Sequence, residues 1–190
     1  LPGATVTYTR PPNTLPIVLV ALVMRCSRET RGGDASSIRV GVTIVRKWYD
    51  TDGVSMVTGI DTSSVGLAVR KIAQEKGKID LNVGSATADL TGPACSETGA
   101  HWVYDTYALA NVTGAAMVKA GGDSWYFLTA DYAFGAQLQN DTTKVVEAAG
   151  GKVVGSVKHP LSATDFSSFL LQAQSSKAKV VGLANAGADR

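Results

Sequence analysis

VSMVTGIDTSSVGLAVRKIAQEKGKIDLNVGSATADLT, residues 54–91, is the stretch that decides the fold of this chain. Val54 to Ile60 is apolar and β-branched enough for a strand. Asp61 to Ser64 is a small polar turn, and Val65, Val69, Ile72 and Ala73 then recur on one helical face until Gly77. Ile79 to Val83 is a second short strand, and a second small polar turn closes it at Asn82 to Thr87. A strand, helix and strand of these lengths make a βαβ unit, whose two strands run parallel. Both polar turns therefore lie at the carboxyl ends of their strands, which is where open α/β sheets take ligands.

The same grammar continues downstream. His101 to Tyr104 is expected as a strand, and a helix is expected from near Tyr107, carrying Ala108, Val112, Ala115 and Ala116 and ending at Gly121 and Gly122. Trp125 to Thr129 is a strongly apolar strand. The helix after it carries Phe134, Leu138, Thr142, Val145 and Ala149 on one face and stops at Gly150 and Gly151. Lys152 to Val157 is a strand, Asp165 is expected to cap a helix with Phe166, Phe169, Leu170 and Ala173, and Lys179 to Leu183 is the last strand. The last strand is not followed by its helix, so the sequence reads as an incomplete fragment of a larger α/β protein.

Upstream, Val42, Val45, Trp48 and Tyr49 mark a helix from Gly41 that ends in the turn at 50–53. Residues 1–40 follow no clear period. Pro11, Pro12 and Pro16 interrupt the start, four arginines lie between Arg25 and Arg39, and this segment is set apart as atypical. Its apolar run Leu15 to Met24 is about half the ~20 residues that a membrane span needs, so it is expected as a buried strand rather than a transmembrane helix. A signal-peptide core of that length would need a small-residue cleavage site, and RCSRETRGG follows instead.

A net charge of +2 with no basic block argues against nucleic acid as a partner. The two cysteines, Cys26 and Cys95, form no metal or redox motif, and whether they pair is open. His101 and His159 are the only histidines; His101 is read as the start of a strand and His159 as a loop residue before Pro160. No nucleophile elbow, metal-ligand spacing, GxGxxG or P-loop is present, so no catalytic residue, metal ligand or cofactor is assigned.

The candidate ligand-binding residues are those at the strand mouths. Ser63 and Ser64 fit either a plain helix N-cap or a contact to an anion. Gly84, Ser85, Ala86 and Thr87 let a ligand approach the backbone and offer N–H groups and hydroxyls to a carboxylate. Tyr132 follows the Trp125 strand, and Asn185 ends the last one; each has a plain packing or turn role as its alternative.

Taken in order, WYDTDGVSMV, DTSSVGLAV, GSATADLTG, HWVYDTYALA, SWYFLTADYAFG and HPLSATDFSSFLLQAQSSKAKVVGLANAG resemble the periplasmic substrate-binding proteins of ABC transporters, of the leucine/isoleucine/valine-binding type. The resemblance runs from Gly41 onward. It implies a type I periplasmic-binding-protein-like fold with two parallel-sheet βαβ lobes, here a partial first lobe over 41–106 and a partial second over 107–190. It further implies a small carboxylate ligand, such as a branched-chain amino acid or an aromatic acid, held in an interlobe cleft, a membrane permease as partner, a periplasmic location and no enzymatic activity. By the same resemblance Ser63 meets the carboxylate, residues 84–87 form the loop that surrounds it, and Tyr132 and Asn185 come from the second lobe. The family's loop hydroxyl is displaced from the position of Ala86 to Thr87. Two other functions are compatible with the fold: a ligand-sensing domain of a receptor or regulator, and a nucleotide-using α/β enzyme.

Overall fold

The structure, a computed structural model, describes residues 35–161 and 163–186. The apolar run at 15–24 and Cys26 lie outside the described residues. The chain separates into two compact units, Leu1–Val103 and Tyr104–Arg190.

In the first unit, helix α1 (Ala35–Asp50) is followed by strand β1 (Met56–Thr58), helix α2 (Ser63–Glu75), strand β2 (Ile79–Asn82), a short 3₁₀ turn at Ala88–Leu90 and strand β3 (Gly99–His101). The three strands lie in the order β1-β2-β3, all parallel, with Val57 beside Asp80 and Leu81 beside Ala100. Helix α1 starts at Ala35, ahead of the start expected at Gly41. Its buried positions Ser37, Gly41, Val45 and Tyr49 recur every fourth residue, a stripe whose first two members are too small and polar to register as apolar periodicity. That stripe faces α2, and the core joins Val45, Tyr49, Val57 and Ile60 to Val65, Val69 and Ile72. Strand β3 ends at His101 rather than beginning there. The Trp102 and Tyr104 expected in it are exposed, at 78 % and 60 %, because only the Trp102 N–H continues the ladder, to the Asn82 carbonyl.

A buried ion pair ties this unit together. Arg70, on α2, is 2 % exposed and Asp80, on β2, is wholly buried. The Arg70 Nε lies 2.7 Å from Asp80 Oδ1 and 2.8 Å from Oδ2. Its Nη1 donates to the Leu90 carbonyl at 2.9 Å and its Nη2 to the Ala100 carbonyl at 3.2 Å. One guanidinium thus joins the helix, the middle strand, the 3₁₀ turn and β3, using its fixed fork of donors. Burial pushes the Asp80 carboxyl above its ordinary range, and the hydrogen bond and charge of Arg70 oppose that shift.

The second unit contains helix α3 (Thr106–Lys119), strand β4 (Ser124–Ala130), helix α4 (Ala133–Ala148), strand β5 (Lys152–His159), helix α5 (Ser167–Ser175) and strand β6 (Val180–Ala184). The Asp105 carboxylate caps α3 by accepting from the Ala108 N–H at 2.8 Å. Every residue of β4 is buried, as an unbroken SWYFLTA run demands of a central strand, whereas β5 alternates as an edge strand does. The parallel order is β5-β4-β6. The core gathers Trp125, Phe127, Val146 and Ala184. On α4 it is Val146, not the predicted Ala149, that is buried beside Phe134 and Thr142.

His159 is not a loop residue. It is the wholly buried last residue of β5, with its ring edge-on to Phe166 at 5.0 Å and its Nδ1 3.1 Å from the Pro160 carbonyl oxygen. Hydrogen bonds from Ser167, first from its side chain and then from its N–H at 2.9 Å, hold the Asp165 carboxyl below the usual range; the residue immediately before α5 is Phe166.

Arg70→Met removes one member of the buried pair and leaves the Asp80 charge without its counterion. It is expected to cost about 3–5 kcal/mol of stability in denaturant titration. A loss within experimental error would show that the pair does not hold the unit together.

Candidate functional site

Both polar turns of the first unit end adjacent parallel strands, and the structure brings them into contact. The N-cap of α2 is Thr62, not Ser63 or Ser64, and it makes no side-chain cap hydrogen bond. Ser63 is the first helical residue, 2 % exposed, and Ser64 is half-buried. The start of α2 carries the positive dipole end that favours an anion.

The second turn is braced from three sides. The Asn82 Oδ1 accepts from the Ser85 N–H at 2.9 Å and from the Gly84 N–H at 3.3 Å, the local turn that a short amide side chain makes with its own backbone. The Ser85 hydroxyl lies 2.9 Å from the Ile60 carbonyl oxygen and 3.1 Å from that of Thr62. Its one proton is thereby committed to the first turn, so Ser85 is a brace between the turns rather than a hydroxyl donor to a ligand. The His101 Nε2 lies 2.7 Å from the Ser85 carbonyl oxygen.

Close approach requires glycine here. A Cβ on Gly84 would lie 2.8 Å from the Asp61 Cα and 2.8 Å from the Ile60 carbonyl oxygen. Any larger residue pushes the turns apart.

Beyond these braces, Ala86 and Thr87 are both buried, and their backbone N–H groups make no hydrogen bond among the described residues. The Thr87 Oγ1 caps the 3₁₀ turn by accepting from the Asp89 N–H at 3.4 Å, which leaves the Thr87 O–H as a donor. Two buried N–H groups, a threonine hydroxyl and the positive dipole end of α2 together form a patch suited to a carboxylate.

In the second unit Tyr132 and Asn185 follow β4 and β6, neighbouring strands whose carboxyl ends pair as Thr129 beside Ala184. Tyr132 is the N-cap of α4, its ring 5.9 Å from that of Phe134, and Asn185 is buried. The order β5-β4-β6 reverses direction at β4 and β6, so these two residues flank the kind of switch point where such sheets bind ligands. Gly135 lets the first turn of α4 settle on both strand ends, since a Cβ there would lie 2.9 Å from the Ala184 carbonyl oxygen and collide with that of Ala130.

The sequence reading did not assign a role to Asn82 or His101. The Asn-x-Gly-Ser spacing at a strand end signals the Asn82 turn. Nothing local signals His101, which reaches the loop from a different strand.

The periplasmic binding protein family matches residues 33–190. A periplasmic binding protein from Burkholderia mallei is 51 % identical, with 80 % of this chain and 40 % of that chain covered and a TM-score of 0.78. A branched chain amino acid ABC transporter periplasmic ligand-binding protein from Burkholderia xenovorans is 30 % identical over 80 % of this chain and 40 % of that one, with a TM-score of 0.62. An ABC transporter solute binding protein from R. palustris, in complex with benzoate, is 24 % identical over 81 % and 43 %, with a TM-score of 0.74, a likeness of fold alone. The chain spans about two fifths of the length of these solved structures. No curated protein matches. Its two parallel α/β units, its family match and its half-identical solved relative make this chain a member of the periplasmic binding protein family, with the type I fold.

Proposed function

We propose that this chain serves as the extracytoplasmic solute-binding component of an ABC importer, taking a small carboxylate and delivering it to a membrane permease from the periplasm. The observation that carries this reading is the pair of buried N–H groups of Ala86 and Thr87, without a partner among the described residues, beside the start of α2. Buried donors without partners are costly, and a carboxylate offers two oxygens to satisfy them. In this reading the Ser63 hydroxyl and the N–H groups of Ala86 and Thr87 grip the carboxylate, with Ser64 beside them. Gly84 and Ser85 hold the geometry, and Tyr132 and Asn185 are the candidate ligand-binding residues of the second unit.

The ligand class is a branched-chain amino acid or an aromatic acid. The described name of the Burkholderia xenovorans relative supports the first, and the ligand of the R. palustris protein suggests the second as a probe. None of the helices among the described residues is long and apolar enough to cross a membrane.

Calorimetric titration of the full-length protein with L-leucine, benzoate and their neutral amides tests the reading. One of the carboxylates should bind, and its amide should not. Ser63→Ala is expected to weaken that binding by roughly 1–3 kcal/mol. An unchanged affinity removes Ser63 from the site. Gly84→Ala separates the two turns and should lower affinity by about tenfold or more, alongside about 1–3 kcal/mol of lost stability. Full affinity in that variant would show that the two turns do not act as one site.

A further inference from the structure

His101 ends β3 and is half-buried, and its Nε2 lies 2.7 Å from the Ser85 carbonyl oxygen across 16 residues of chain. A carbonyl can only accept, so Nε2 must carry the proton of this bond. The chain has no cis peptide among the described residues, so the Ser85–Ala86 peptide is trans, and its N–H points opposite to its C=O. The ring that grips the Ser85 carbonyl therefore also sets the direction of the Ala86 N–H, on the far side of the same peptide plane. Hydrogen bonding at the carbonyl polarises the peptide as well and strengthens the N–H as a donor.

The neighbouring peptide planes are held by other means. Asn82 Oδ1 accepts from the Ser85 N–H, and the Ser85 hydroxyl binds the first turn. Among the described residues, the Ala86 N–H is left without a partner, and the only bond to its peptide plane is the one from His101.

We propose that His101 is a positioning residue for the carboxylate site, aiming and polarising the Ala86 N–H through the Ser85 carbonyl without touching the ligand. The proposal rests on the reading of that N–H as a carboxylate donor. It predicts which chemistry at position 101 preserves binding: a side chain with an N–H at the place of Nε2. Gln reaches there with its amide, and Phe fills the space without a donor.

Two measurements on the full-length protein test it. Imidazole nitrogen NMR of the free protein reports the tautomer of His101; Nε2–H is expected, and a neutral ring protonated only at Nδ1 overturns the proposal. Calorimetry with L-leucine and benzoate then compares His101→Phe with His101→Gln. His101→Phe should lose about tenfold or more in affinity for whichever carboxylate binds, while its thermal midpoint stays near that of the parent protein. His101→Gln should recover most of the loss, and the Ala86 amide resonance should move in the Phe variant and return in the Gln variant. A purely structural histidine would lower the thermal midpoint without this pattern of rescue. Unchanged affinity in His101→Phe, or an unmoved Ala86 amide, overturns the role of His101. Failure of the parent protein to bind either probe counts instead against the carboxylate reading, and the tautomer and the Ala86 amide still decide whether His101 sets that peptide.

Discussion

The buried pair between Arg70 and Asp80 is the constraint on which the first unit depends. Two charges removed from water demand good geometry, and Arg70 answers that demand by reaching from α2 to three other pieces of chain. Because Asp80 lies two residues before Asn82 on the same strand, the pair also fixes where β2 ends. Leu90 and Ala100, the carbonyl partners of the guanidinium, bracket the segment that returns from the second polar turn to β3. The position of that turn is therefore set by a contact that lies in the core and not at the mouth.

On that base the two turns interlock at short range. Gly84 accepts the backbone of the first turn at a separation that no side chain allows, and the Ser85 hydroxyl closes the gap with hydrogen bonds to Ile60 and Thr62. A rigid support of this kind suits a binding site, because donors held in place before the ligand arrives cost little to order on binding. The division of labour is clear in chemical terms. Asn82, Gly84, Ser85 and His101 shape the loop, and Ala86 and Thr87 present its uncommitted donors.

The second unit solves the same problem differently. Its central strand β4 is buried along its whole length, and helix α4 starts close above the ends of β4 and β6 through Gly135. Tyr132 and Asn185 are brought to one sheet edge by strand order. The reversal of direction in β5-β4-β6 is what brings two residues more than fifty positions apart to one edge of one sheet.

Local sequence determined most of the element order. The apolar stripe Val65, Val69, Ile72 and Ala73 and the unbroken run Trp125 to Thr129 each report their structure through burial, which acts on every residue of a periodic segment. Short strands and helix starts were less legible. Strand β3 lies at Gly99–His101 rather than at the more apolar His101–Tyr104, because pairing with β2 set its register and not its own composition. Helix α1 began ahead of its visible apolar face because Ser37 and Gly41 pack as small residues. The polar turns were visible as candidate binding residues, yet their internal roles were not. Serine and threonine hydroxyls look alike in a sequence, whereas the partners that distinguish Ser85 from Thr87 lie up to 25 residues away. Sequence by itself determined where donors gather, since turn chemistry is local. Tertiary structure alone decided which donors are already committed, because a hydrogen bond needs two groups brought together by the fold.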